Sequence, residues 1–404
     1  MKIAICGIRG IPACYGGFET FAEELSTRLV EQNHEVIVYG RNHVIKYEQP
    51  FYKGVRIKLL PAPKHKYFET PIHTLRCLID LVRNPVDVIL VCNAANSPFL
   101  FIPRLFGAKI AINLDGIERM RAKWNMLGRL WYRLGEVCST LFAQQLISDA
   151  DVIRDYYLKS YGAESAVIRY GYRRTDDTRV DAKVFSGTCS SFDEKERALF
   201  QELGIEPHKF VLYVSRLEPE NNAHVVIEAY NQIDPALKRS MPLVIVGDAP
   251  YSDEYIRHLR RIAGENVIFT GYRFGKDYQT LQLSAYCYVQ ATEVGGTHPA
   301  LVEAMGYGNA VISNETPENV EVLSDAGAFY KKNNKEHLAS LLTRFISEPL
   351  EVAKFQKLAL NRARSLFDWE KITSEYQELF ASLLEGRPYQ PQVQPGEERS
   401  VGNM

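Results

Sequence analysis

The sequence predicts two parallel α/β domains in series, facing each other across a cleft. Three observations predict it. Short β-rich runs alternate with amphipathic helical runs almost throughout the chain. The length of 404 residues exceeds what one ordinary core organises. The alternation also dissolves once, around residues 171–205, into polar and charged residues with Ser, Thr and Gly, where a domain junction belongs.

Taken in order, KIAICG (2–7) reads as a buried strand, followed by a glycine-rich loop and a helix near Phe18 to Gln32. Phe18, Phe21, Ala22, Leu25 and Leu29 recur there at helical spacing. EVIVYG (35–40), VRIKLL (55–60), DVILVC (87–92) and AKIAINL (108–114) are further strands, which sets a first domain at 1–172 and a junction at 173–205. The second domain, 206–368, restarts with FVLYVSRL (210–217) and continues with LVIVG (243–247), NVIFTG (266–271) and AYCYVQA (285–291). An amphipathic helix at 369–385 is expected to pack back toward the first domain, and 386–404 has too little to bury and reads as a disordered tail.

Composition narrows the function. A hydrophobic content of 46% with 24% charged residues is that of a soluble globular protein. A net charge of -1 excludes nucleic-acid binding by bulk electrostatics, so an anionic ligand must be held by local groups. Seven scattered cysteines without a CxxC pair argue for reduced thiols in a cytosol and against a disulfide framework or zinc site. The N-terminus enters a strand at once, leaving no signal peptide, and no run of 18 apolar residues spans a membrane. The expectation is a cytoplasmic protein.

Four segments carry candidate chemistry. The loop from Gly7 to Gly17 includes Arg9, Gly10, Gly16 and Gly17 between a strand and a helix, where glycines admit a ligand and helix N–H groups suit an anion or an acceptor. It matches neither a Walker A sequence nor a clean GxGxxG, and a long turn is the plainer alternative. Asp115 and Glu118 follow a strand end, the usual place for catalytic carboxylates in open sheets, although Asp115 also suits a helix N-cap. Arg216 stands at the end of a strand, where a guanidinium can bind phosphate without a metal or simply pair with Glu218 or Glu220. The segment Gly295, Gly296, Thr297, His298, Pro299, Ala300 feeds a helix carrying Glu303 in an apolar setting, so backbone amides could hold a diphosphate and Glu303 a sugar hydroxyl.

These motifs resemble the family-4 glycosyltransferases, which have the GT-B fold of two Rossmann-like domains. In the C-terminal half the resemblance is carried by SRLEPENN, LVIVGD, TEVGGTHPALVEAMGYGNAVIS and FDWEKITSEYQELF. IRGIPACYGGFETFAEEL, LDGIERMRAKW and SDADVIRDYY resemble the narrower N-terminal domain of bacterial rhamnosyltransferases of polysaccharide assembly. The resemblance implies that Arg216 binds the diphosphate and Glu303 the nucleotide sugar, with Asp115, Arg216 and His298 as catalytic residues. Asn221 stands where the family has a second cation, a lysine, and Gly295 where it has the first of two glutamates spaced E-x7-E; Glu293 lies two residues away. The implied reaction is a retaining, metal-independent transfer without cofactor, from dTDP-L-rhamnose to a lipid-linked or other saccharide acceptor. The alternatives are a UDP- or GDP-sugar donor, a sugar-nucleotide epimerase, a non-catalytic sugar-nucleotide-binding protein and a two-lobed solute-binding protein.

Between Arg104 and Arg133 lie seven basic residues, among them Arg119, Arg121, Lys123 and Arg129, interleaved with Trp124, Leu127, Leu130, Trp131 and Leu134. This composition suits a helix at 119–134 meeting anionic lipid at the inner face of the cell membrane, or a helix packed on its own domain with a solvated basic face.

Overall fold

The computed structural model describes residues 1–390 except Tyr15, Lys66, Asp115, Ala122, Lys123, Thr175, Asp176, Thr188, Cys189, Ser190 and Tyr251. The expected tail therefore lies mostly outside the described residues; within it, Tyr389 packs against the N-terminal core.

The described strands of the first half are β1 (Lys2–Cys6), β2 (Glu35–Arg41), β3 (Phe51–Tyr52), β4 (Val55–Leu60), β5 (Val88–Cys92), β6 (Lys109–Asn113), β7 (Gln145–Ser148) and β8 (Ala166–Val167). They form one sheet in the order β3-β4-β2-β1-β5-β6-β7-β8, parallel except for the β3–β4 pair. The second half contributes β9 (Val211–Val214), β10 (Leu243–Val246), β11 (Val267–Gly271), β12 (Cys287–Gln290), β13 (Ala310–Asn314) and β14 (Gly327–Tyr330). These pair in parallel in the order β11-β10-β9-β12-β13-β14. The chain is thus an α/β protein with two parallel sheets, as its alternating runs predict.

Both sheets are covered on both faces, which explains their uninterrupted apolar strands. In β1, Ile3 and Ile5 join one core layer, while Ala4 and Cys6 join the layer on the other face. In β9, Val211 and Tyr213 divide from Leu212 in the same way. The helix Trp369–Glu385 places Trp369, Ile372, Tyr376, Phe380 and Leu383 in the core of the first sheet. Its Tyr376 hydroxyl accepts a hydrogen bond from Asn113 Nδ2 at 3.0 Å, at the end of β6.

The polar stretch at the junction contains a helix, Glu194–Leu203, started by a capping box between Asp193 and Glu196. Only Leu199 and Phe200 of its ten residues are buried apolar groups, too few to show as a period, and they enter the core of the second sheet.

Strand order reverses around β1 and β5 in the first sheet and around β9 and β12 in the second. Ligands of open parallel sheets bind at the carboxyl ends of strands at such points. The loops after β1, β5 and β6 therefore meet those after β9 and β12.

Candidate active site

A cleft of about 660 Å³ lies between the halves, lined on one side by Gly7, Arg9, Gly16, Gly17, Glu118 and Arg121 and on the other by Arg216, Asn221, Gly295, Gly296, Thr297, His298, Pro299, Ala300 and Glu303. Asp115 lies outside the described residues. Gly10 is not on the cleft wall. It has φ +119, and a Cβ there would stand 2.7 Å from the Cα of Gly40 and 2.8 Å from Ile45, so it lets two backbones approach beneath the loop.

Two amides of the 7–17 loop itself, ahead of the helix N-terminus, are already taken. Arg9 N–H donates to Glu19 at 2.9 Å and Ala13 N–H to Glu23 at 2.8 Å. Both carboxylates come from the helix Gly17–Glu31 and are buried. They draw the loop back onto the helix, so this wall presents acceptor oxygens as well as donors.

In the second half, β9 ends at Val214, and Arg216 stands two residues beyond it, where its side chain lines the cleft. Its Nη2 lies 3.6 Å from Glu218 Oε2. Asn221 donates from Nδ2 to the carbonyl of Arg216 at 2.7 Å and accepts from the Tyr213 hydroxyl through its own carbonyl at 2.6 Å. Its amide therefore holds the shape of the 216–221 loop rather than supplying charge.

The donor loop is closed from the first half. Thr297 N–H donates to Asp149 Oδ2 at 2.7 Å, and its hydroxyl donates to the Asp149 carbonyl at 2.8 Å. This amide, expected to face a diphosphate, is taken by a carboxylate from the end of β7. A Cβ on Gly17 would stand 2.8 Å from Pro299, and one on Gly116 would stand 2.3 Å from the carbonyl carbon of Gly295. Glu321 accepts the backbone amides of Asp151 and Val152 at 2.7 and 3.0 Å, tying the second half to the start of the helix Asp151–Tyr161.

At Gly295 the ring of His298 would lie 2.4 Å from a Cβ, so a side chain there would have to displace that ring. Glu293 does not stand in for the family's first glutamate, because its carboxylate accepts from Asn333 at 2.7 Å and from Asn222 at 3.3 Å, beside Lys332.

Burial, followed by the guanidinium charges of Arg121 and Arg216, holds His298 at about 3, far below the usual imidazole range. It is neutral at physiological pH and offers a hydrogen bond without charge. Burial pushes the Glu303 carboxyl up to about 7, against the opposing effects of Tyr278 and Arg173. The Tyr278 hydroxyl donates to Glu303 Oε2 at 2.5 Å and itself accepts from Gln282 at 2.9 Å.

Several residues of this arrangement escape the sequence reading. Arg121, expected to face either anionic lipid or solvent, does neither: it is buried and bonded to Glu118 at 2.5 Å. The spacing of three residues from Glu118 is the signal that was available. Asp149 follows β7, and the strand-end rule would have found it had QLIS been recognised as a strand. Arg173 pairs with Glu24, its Nε 2.6 Å from Oε1, and lies 3.2 Å from Glu23.

The basic segment is partly redistributed. The helix Met126–Phe142 turns Met126, Leu127, Leu130, Leu134 and Leu141 to solvent, with exposures of 82, 71, 63, 45 and 61%. Leu105 and Phe106 add 78 and 72% beside it. Trp131 faces inward, donating to the Ala95 carbonyl at 3.1 Å, and Trp124 packs on Tyr132 with ring centroids 5.1 Å apart. Lys123 lies outside the described residues.

Comparison with known proteins gives matches to both halves. A family model described as glycosyl transferases group 1 matches residues 195–362, and one described as a domain of unknown function matches residues 1–173. The chain is 21% identical over 392 residues to an uncharacterized glycosyltransferase of Methanocaldococcus jannaschii, spanning 91% of this chain and 95% of the relative. Its fold is similar to that of Anabaena HepE in complex with UDP-glucose, with a TM-score of 0.74 and 17% identity over 95% of this chain and 100% of that one. Sucrose-phosphate synthase of Thermosynechococcus elongatus is similar at a TM-score of 0.75 and 19% identity, over 95% and 99% of the two chains.

Proposed function

We propose that this chain, which is a GT-B glycosyltransferase whose residues 195–362 match the glycosyl transferases group 1 family, moves a sugar from a nucleoside diphosphate to a saccharide acceptor with retention of configuration. The observation that carries this reading is that Arg216 and a neutral His298 line the same cleft at the strand ends of the second half, under a wall from the first. Arg216 meets the charge that develops on the leaving diphosphate, and such preorganised charge is worth most where water is excluded. Glu303 accepts hydroxyls of the nucleotide sugar, and the 7–17 loop with Glu118 and Asp115 forms the acceptor side. The complex of HepE with UDP-glucose supports a nucleotide sugar as donor.

The donor is dTDP-L-rhamnose. Gly295 supports it: where the family has the first of its two glutamates this chain has no side chain, as suits a donor with an altered hydroxyl pattern. Metal is not required. The one Asp-x-Asp in this region, Asp149-Ala150-Asp151, is engaged elsewhere: Asp149 holds Thr297, and Asp151 accepts from Arg169 at 2.9 Å.

The acceptor is lipid-linked, in cell-surface polysaccharide synthesis. The exposed stripe of Leu127, Leu130, Leu134 and Leu141, flanked by exposed Arg129 and Arg133, has the chemistry of a surface that enters anionic headgroups. Among the described residues no helix is long and apolar enough to cross a membrane, so contact would be peripheral.

The test is a screen of dTDP-L-rhamnose, UDP-glucose and GDP-mannose against undecaprenyl-linked saccharides, with the product read by mass. Transfer from the first donor supports the reading. Transfer only from UDP- or GDP-sugars overturns the rhamnose assignment, and binding without any transfer or hydrolysis overturns the enzymatic one.

A further inference from the structure

Transfer breaks the bond between the anomeric carbon and the diphosphate and forms one to the acceptor oxygen. The electron pair leaves on the diphosphate, which takes up the acceptor's proton. A leaving group with this much charge calls for more than one cation. In the second half Arg216 is one; Arg273 also lines the cleft but is held by Glu202 and Asp277, and Asn221 is neutral and occupied with the loop backbone.

We propose that Arg121, reaching across from the N-terminal half, is the second cation on the leaving diphosphate. The inference rests on the glycosyl-transfer reading above. Three observations carry it. Arg121 is 7% exposed and lines the cleft beside Arg216 and His298. Its outer nitrogen Nη1 lies 3.8 Å from Glu218 Oε2, the same oxygen that Arg216 approaches at 3.6 Å, so one oxygen atom measures the closeness of the two guanidinium groups. Glu118 holds its inner nitrogen Nε at 2.5 Å, which aims the outer nitrogens at the second half.

The carboxylates around Arg121 fit this role. Glu218 and Glu220 both lie 3.8 Å from Nη1, beyond hydrogen-bond reach, and both are buried. They compensate the guanidinium while the cleft is empty, and a diphosphate with better geometry draws Nη1 away from them. Because Arg121 and Arg216 belong to different halves, both cations reach the diphosphate only when the halves are together. Leaving-group departure is thereby tied to the arrangement that excludes water.

The experiment uses the full chain, with dTDP and UDP as probes and thymidine and uridine as controls, by calorimetry, and turnover with whichever donor the wild type uses. Arg121→Ala is expected to weaken the tighter diphosphate roughly ten- to a hundredfold, as for loss of a charged hydrogen bond, and to leave the nucleoside unchanged. Arg121→Lys keeps a cation on the same stem and is expected to recover part of the loss. A third variant, Arg121→Ala with Glu218→Gln and Glu220→Gln, removes the buried carboxylates as well and should stay weak. Full recovery there would mean that Arg121 only neutralises carboxylates, and unchanged diphosphate affinity in a folded Arg121→Ala would equally overturn the proposal. So would a loss that Arg121→Lys does not even partly repair. If the wild type itself binds neither diphosphate, the glycosyl-transfer reading fails instead.

Discussion

Glu303 ties donor binding to pH in a direction that can be worked out. Its carboxyl sits near 7 in the empty cleft, against an ordinary value of 4.5, and burial is the main cause. A group raised in this way favours its neutral form in the folded state. The associated stability is complete below pH 4.5 and is lost as pH rises toward 7; the full shift corresponds to about 3 kcal/mol at most. Binding should run the other way, because a sugar hydroxyl donates best to the ionised form. Affinity for dTDP is expected to rise by up to about tenfold between pH 6 and 8, about half of that ratio by pH 7, and to level off above about 8. Glu303→Gln keeps the volume and removes the charge, so it should flatten the profile. Glu303→Ala should weaken binding by about 1.5–3 kcal/mol at pH 8. Calorimetry at several pH values, paired with thermal melts, separates the two trends. If Glu303→Gln keeps the wild-type slope, another group titrates and Glu303 does not receive the nucleotide sugar.

Arg216→Ala should lower turnover at least about a hundredfold with a smaller loss of donor affinity, while Arg216→Lys recovers only part, since a point charge does not reproduce the planar fork. EDTA should leave wild-type steady-state activity intact, and complete loss with chelator would contradict the assignment. Gly295→Glu should abolish turnover and cost about 1–3 kcal/mol in thermal stability, because the new side chain strikes the His298 ring; wild-type activity in this variant would show that the loop moves away during catalysis. Replacing Leu127, Leu130 and Leu134 together by Ser should reduce sedimentation with anionic vesicles at least about tenfold without changing dTDP affinity. Equal binding of the wild type to neutral vesicles would remove the electrostatic part of that reading.

The parts of the fold that sequence exposes are those whose physics is local. β1, β5, β9 and β12 are apolar on both faces, so their runs stand out without context, and all four border the cleft. β8, with two residues, and β14, with four, have no room for a period. The site divides in the same way. Arg216 and Glu303 were legible because each follows a recognisable strand or lies in an apolar helix. Gly10 was misjudged because a glycine that spaces two backbones resembles one that admits a ligand. Arg121 was misjudged because a basic residue near leucines looks the same whether it faces lipid or three carboxylates. Its partners Glu218 and Glu220 stand about a hundred residues away, and only the packed halves bring them together.

That distance has a consequence for how the molecule works. The loop amide of Thr297 is held by Asp149, the Gly295 backbone lies against Gly116, Pro299 rests on Gly17, and Arg121 shares Glu218 with Arg216. Each of these sets a feature of the donor side from the acceptor side. None is a large apolar surface; they are single hydrogen bonds, ion pairs at 3.8 Å and glycine contacts. Interfaces of this kind separate readily, because exposed to water each group regains its solvation at little net cost. The Trp369–Glu385 helix differs, since it buries Tyr376 and Phe380 in the first core while its chain comes from the second half. The halves are therefore joined firmly at the helix and weakly across the cleft, which is the arrangement a hinge requires. Opening would withdraw Arg121, Asp149 and Gly116 from the donor loop in one movement. On the proposed reading, a donor on the open second half would meet Arg216 without Arg121, and its leaving group would be fully neutralised only when the first half closes.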